Sequence, residues 1–176
     1  MPAKTPPEKE FEVLPEGLRE PVRNLFHEDY MVRRVSARQL MGKRHLEAIS
    51  HFHRVLEGDE DEIVRGFMVE ALENLNQPES IPHLAKAALF DDFEPVKINS
   101  KNVLEFFDPE QVLRSFLPFL KGEDRDVKGN ASVLLDHFGE ALSRKRPNAP
   151  ISVFLRRNKA VRGPATFYRL FKKHFP

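Results

Sequence analysis

The fold turns on one stretch: Asp61-Glu62-Ile63-Val64-Arg65-Gly66-Phe67-Met68-Val69-Glu70-Ala71-Leu72-Glu73-Asn74-Leu75. The acid at its start suits a helix N-cap. Ile63, Phe67, Val69, Ala71, Leu72 and Leu75 fall at offsets that build an apolar stripe of helical period. Working outward, the Val-plus-base dipeptide recurs as Val32-Arg33, Val64-Arg65, Val96-Lys97 and Val127-Lys128, at spacings of 32, 32 and 31 residues. Leu40, Leu72, Leu104 and Leu135 stand eight residues after each Val. Asp29, Asp61 and Asp124 stand three before it, and Phe93 takes that place in the third copy. Columns recurring in register at a fixed period are the signature of a stacked array.

Each copy also holds an upstream apolar stripe, such as Leu46, Ile49, Phe52, Val55 and Leu56, or Val112, Leu113, Phe116, Leu117 and Leu120. Each unit is therefore predicted to be two helices. Gln77-Pro78 and Asp108-Pro109 place proline at helix starts, where its missing N–H costs nothing. Gly58-Asp59 and Gly122-Glu123-Asp124 supply turns. Pro118 is predicted to kink the helix it lies in. No segment shows sustained strand alternation. The expectation is an all-α superhelix, a solenoid of about four helix pairs over residues 16–142. A disordered leader over 1–15 precedes it, and a basic C-terminal extension over 143–176 follows, read as a cap docked on the array or as a separate binding element.

A helix pair with Asp-x-x-Val-Arg at the start of its second helix, followed by small residues and Leu, resembles a HEAT repeat. The short period resembles the bacterial HEAT-like subtype also seen in phycobilisome lyases. That resemblance covers roughly residues 16–142 and implies stacked pairs, because one pair cannot bury both of its faces. It implies little about function, since such arrays host many unrelated tasks. The recurring charges Asp29, Arg33, Asp61, Arg65, Lys97, Asp124 and Lys128 are expected to form a structural ladder, with acids capping helices and bases bridging to acids of a neighbouring unit.

Composition bounds the chemistry. The chain has 176 residues, 28 basic and 27 acidic, and no Cys. The missing Cys excludes disulfides, thiolate metal sites and Cys nucleophiles, and fits a reducing cytoplasm. No apolar run approaches the roughly 20 residues a membrane span needs, and the N-terminus lacks a signal-peptide core. Phosphate-loop, dinucleotide, nucleophile-elbow and zinc-protease motifs are missing. Iron-dependent HEAT-like hydroxylases carry His-Glu pairs directly after the Val-Arg. Those slots here hold Arg34-Val35, Gly66-Phe67, Ile98-Asn99 and Gly129-Asn130. His51 and His53 point about 200° apart on a helix and cannot share an ion, so His45, His51 and His53 are read as solvated surface histidines near a turn and not as a metal cluster. No catalytic residue, metal site or small-molecule cofactor is expected.

Two candidate surfaces follow. Positions three, six and ten after each Val are expected to line the open face of the second helices. Phe67, Glu70, Asn74, Asn99, Asn102, Phe106, Asn130 and His137 form a candidate partner strip of apolar anchors among adaptable hydrogen-bonding groups. The same register turned by one residue makes Phe67 and Phe106 core instead. The second surface is electrostatic. Residues 1–142 hold 18 bases and 27 acids, a charge of −9, whereas 143–176 hold ten bases and no acid. Arg156, Arg157, Phe167, Arg169, Phe171, Lys172 and Lys173 form a basic amphipathic set. It could dock on the acidic array, bind nucleic acid by phosphate contact and base stacking, or engage a protein; a membrane surface is disfavoured. The sequence favours a non-catalytic cytoplasmic scaffold or adaptor for a protein partner. The alternatives are a HEAT-like nucleic-acid binder acting through the tail, resembling DNA glycosylases of this class, and a lyase-type enzyme subunit.

Overall fold

The computed structural model describes residues 2–121, 124–158 and 164–175; Gly122, Glu123 and Gly163 lie outside them. The described residues form eleven α-helices and no strand. They are α1 (Glu8–Glu12), α2 (Glu16–Asn24), α3 (Tyr30–Met41), α4 (Ile49–Gly58), α5 (Glu62–Leu75), α6 (Ile81–Phe90), α7 (Glu94–Leu104), α8 (Pro109–Phe116), α9 (Arg125–Lys145), α10 (Pro150–Arg157) and α11 (Pro164–His174). The chain divides into two compact units, Met1–Val103 and Leu104–Pro176.

The first unit contains the pairs α2/α3, α4/α5 and α6/α7. Second helices α3 and α5 lie side by side, and α4 packs on both α5 and α6. Aspartates start these helices. Asp29 accepts the Met31 N–H, and Asp61 accepts those of Ile63 and Val64, which satisfies donors that a helix end leaves free. α5 stops at Asn76, a left-handed residue with φ 49°, a conformation that asparagine tolerates. The repeating Val and Leu columns supply the core: Val64, Leu72, Val96 and Leu40 are at most 1 % exposed, with Phe52, Met68 and Leu84 packed among them.

Two expectations are corrected here. The leader read as disordered carries α1 and is anchored. Phe11 is buried, its ring 6.0 Å from Phe26 and 5.5 Å from His51, with the Arg23 guanidinium 5.2 Å above it. Glu8 pairs with Arg23, and Glu10 pairs with Arg54 at 3.2 Å. Three buried apolar residues, Ala3, Phe11 and Leu14, hold a segment whose prolines and charges read as solvated. The histidines read as solvated also change place: His51 is 3 % and His53 8 % exposed. The reason is the array itself. α4 is flanked on both sides, so opposite faces are covered, His51 among Phe11 and Phe26 and His53 against Ser80 and His83 of the next pair.

The second unit contains α8/α9 and the C-terminal helices. Asp108 accepts the Glu110 and Gln111 N–H groups, and Pro109 occupies the first turn. Pro118 does not kink a helix. α8 ends at Phe116, and Leu117–Leu120 tightens into a 3₁₀ turn that places Pro118 where no N–H is required. Helix α9 runs to Lys145, so the repeat end placed at residue 142 falls inside a helix. α10 and α11 pack against α9, and α11 also packs against the Leu117–Leu120 turn. Phe154 is their hub, with Phe167, Phe171 and Phe175 at 5.9, 5.6 and 5.5 Å. By units, residues 1–103 hold 14 bases and 19 acids (−5), and residues 104–176 hold 14 bases and 8 acids (+6).

Candidate functional site

Of the four recurring bases only Arg33 and Arg65 bridge to acids of the next pair; Lys97 and Lys128, expected in the same ladder, do not among the described residues. Arg33 has no exposed surface; it donates to the carbonyls of His27 and Glu28 at 2.9 Å and pairs with Asp59 through Nε at 2.8 Å. Arg65, one repeat on, grips Asp91 with two bonds of 2.8 Å, pairs with Asp92 and donates to the Asp59 carbonyl at 2.8 Å. Asp29, Asp61 and Asp124 are helix caps. Lys97 pairs with Glu94 of its own helix at 3.4 Å. Lys128 is half-buried on α9. The Arg65→Ala variant is therefore expected to lose about 3 kcal/mol in urea unfolding, because it strands the 4 %-exposed Asp91 carboxylate. A midpoint unchanged from the parent removes Arg65 from the ladder.

The same geometry defines an open face. Arg34 pairs with Asp61 at 2.9 Å near the start of α3 and α5, and the Asn74 amide donates to the Met41 carbonyl at 2.8 Å near their ends. Burial pushes the Asp61 carboxyl up. Hydrogen bonds from Arg34 and from the Val64 N–H outweigh this and hold it below the ordinary range. Between these ties the two helices present a solvent-facing stripe. Met31 is 50 %, Val35 65 % and Ile63 40 % exposed; Phe67 is half-buried, and Glu70 and Asn74 are exposed. Each apolar pair, 31/35 and 63/67, is spaced by four residues and shares one helix face. Ile63, expected in the core stripe, thus lies on the outer side of α5, and Phe67, expected either on the partner strip or in the core, is half-buried at the edge of that face. Met31 and Ile63, one residue before each Val, were missing from the sequence-derived strip.

Asn99 and Asn102 are exposed on α7, beside Ile98 at 49 %. In the second unit Phe106 is 70 % exposed, Asn130 is exposed, and half-buried His137 lies 2.8 Å from Glu105. Phe106 is therefore not core.

The family described as HEAT repeats matches residues 18–105. The chain belongs to the HEAT-repeat family. A comparison with curated proteins returns no match. Membership and the helix pairs together make this HEAT-repeat protein an all-α solenoid, a class that commonly mediates protein–protein interaction.

The tail of this HEAT-repeat protein divides its predicted binding set. Arg156, Arg157, Arg169, Lys172 and Lys173 are exposed. Phe171 is 2 % exposed and Phe167 packs on Phe154 and Phe171, so neither phenyl ring is free to stack on a base. The physical reason is the small fourth-pair core, which takes up the aromatic face of α11. Among the described residues no helix is long and apolar enough to cross a membrane, and no group of three or more His, Cys, Asp or Glu could hold a metal ion.

A cleft of about 370 Å³ opens in the first unit beside the α4–α5 turn. Its ionisable walls are occupied by each other: Glu57 pairs with His83 at 2.6 Å and Lys86 at 2.5 Å, and Arg65 with Asp91 and Asp92. Burial raises the Glu57 carboxyl, and its bonds from Lys86 and His83 more than reverse this. These contacts tie the α4/α5 pair to α6 and the α6–α7 turn.

Proposed function

We propose that this HEAT-repeat protein is a non-catalytic cytoplasmic adaptor that holds a partner protein against the solvent-facing strip of its second helices. The observation that carries this reading is the set Met31, Val35, Ile63 and Phe67. Met31, Val35 and Ile63 are exposed on neighbouring helix faces, and Phe67 beside them is only half-buried. Grouped exposed apolar side chains mark interaction surfaces more often than scattered ones do. Glu70, Asn74, Asn99 and Asn102 supply hydrogen-bonding groups on the same series of positions, the mix of anchors and polar rim that protein interfaces use.

The test is site-specific photo-crosslinking in the native host. A benzophenone side chain at position 67 or 35 is expected to give an adduct of defined mass, and one at the exposed Glu73 none. Met31→Glu combined with Val35→Glu, both at exposed positions, should abolish capture of that partner while changing stability by no more than about 0.5 kcal/mol, as expected for surface positions. Equal labelling from position 73, or capture undiminished by the double substitution, overturns the reading.

A further inference from the structure

We propose that a notch at the end of the fourth helix pair is a docking site for an acidic peptide segment carrying one apolar anchor. The notch lies wholly in the second unit and encloses about 220 Å³. That is below the roughly 300 Å³ at which small-molecule pockets begin, and suits a single side chain instead. Its floor is apolar: Leu104, Phe107, Pro109 and Phe138 are all buried at its base. Its walls are polarised. Glu105 and His137 close one end, held together at 2.8 Å. Arg144 and Lys145 stand at the other.

Ala141 follows His137 by four residues on α9, and Arg144 and Lys145 follow Ala141 by three and four, so all lie along one stripe. The two ends of the stripe are seven to eight residues apart, roughly 11 Å along the helix. Arg144 and Lys145 are exposed and carry no ion pair among the described residues, and Asp108, the nearby acid that could quench them, is already bound to Arg146 at 2.7 Å. Their place in the last turn of α9 accounts for their cost-free location at a helix C-terminus, but leaves both charges facing outward. No acid follows Glu140 in the chain, and the unit as a whole is at +6. An apolar side chain in the floor with a carboxylate one turn away would meet the phenyl groups and the Arg144/Lys145 rim together. A carboxylate at the opposite end would meet Glu105, which fixes the direction of the bound segment.

The site rests on the adaptor reading for the kind of ligand, not for its place, since the strip of that reading lies in the first unit. The test uses the full chain and a fluorescein-labelled dodecapeptide in which Leu and Phe alternate with Glu and Asp, followed by anisotropy. Saturable binding is expected, at least tenfold weaker for the same peptide with Gln and Asn in place of the acids, and equally weakened for a Glu/Ser peptide without apolar residues. Arg144→Glu with Lys145→Glu should weaken it at least tenfold, and Ala141→Trp, which fills the notch, should do the same. Both variants should retain the parent circular dichroism and the position-67 crosslink. If Ala141→Trp disturbs the fold, the charge-reversal pair alone decides.

Equal binding of the neutral or the Glu/Ser peptide overturns the proposal, and so does binding indifferent to the charge reversal. A 20-base-pair duplex that binds the parent tighter than the peptide, and loses binding on the same reversal, assigns the rim to phosphates and also overturns it. Sedimentation showing a dimer that the reversal dissociates makes the occupant a second copy, which overturns it as well.

Discussion

Arg33→Met is expected to destabilise the first unit by about 3–5 kcal/mol, more than the loss of any other charge in the ladder. The guanidinium has no exposed surface, and Asp59, 26 residues further on, is 3 % exposed. Removing the cation strands a buried carboxylate that cannot regain water. It also frees the His27 and Glu28 carbonyls, each bonded to Nη1 at 2.9 Å. Asp59 moreover accepts the Asp61 N–H at 2.9 Å, so its displacement loosens the cap that starts α5. Methionine keeps much of the side-chain volume, and the loss measured is therefore mainly electrostatic.

The contrast that checks the mechanism is one residue away. Arg34 also pairs with an aspartate at 2.9 Å, but its side chain is 30 % exposed. Arg34→Met should cost less, about 1–2 kcal/mol, because only Arg34 is part-exposed, and the 7 %-exposed Asp61 carboxylate still accepts the Ile63 and Val64 N–H groups. Pairing Arg33→Met with Asp59→Asn removes both charges and should recover part of the loss, since the penalty lies in an uncompensated buried charge. Urea unfolding of the four proteins decides the matter. Equal costs at positions 33 and 34, or a double variant no better than Arg33→Met, would show that Arg33 acts through packing alone.

Arg33 also marks how far sequence reasoning reaches. Its column was legible because Val, Leu and the capping Asp recur in step, and periodic burial demands periodic side chains. Its partner was not: Asp59 lies in a turn outside the repeating columns, and the depth of the pair depends on how α2, α3 and α4 close over it. The face of the second helices was legible as the columns three, six and ten after each Val. The column before each Val was not, because Met31 and Ile63 are apolar and an apolar residue on an amphipathic helix reads as core. The opposite error occurred in the tail, where Phe171 reads as an anchor for a partner and is consumed by Phe154. The histidines failed for a third reason: whether α4 has one covered face or two depends on its neighbours, and no property of α4 itself reports that.

His53 makes that last point measurable. Stability of the first unit is expected to fall as pH drops from about 6.5 towards 4, with His53 the largest single contributor. The ring is 8 % exposed, stacked on His83 at 3.8 Å, with Ser80 Oγ 2.9 Å from Nε2. Burial is the main force lowering its pKa from 6.5 to about 4, and His83 adds to it while Glu57 opposes. Lys86, bonded to Glu57 at 2.5 Å, blunts the help that carboxylate could give an imidazolium. A histidine whose folded pKa lies below its unfolded value binds its proton first in the unfolded chain. Its contribution is therefore complete above about pH 6.5 and is lost progressively down to about pH 4. A gap of that size corresponds to roughly 3 kcal/mol. His51 pulls in the same direction, lowered chiefly by burial and further by Arg54, with Glu10 opposing. Below that window the acids Asp61 and Glu57, both held under their ordinary range, take over with the same sign. Urea midpoints measured from pH 7.5 to 5 should decline in the parent, and His53→Gln, which can still bond to Ser80, should lose at least half of that slope. His51→Phe, which keeps the ring between Phe11 and Phe26, should remove a smaller share. A slope unaltered by His53→Gln would mean that this imidazole does not stay neutral in the fold, and that the covered second face of α4 is open to water.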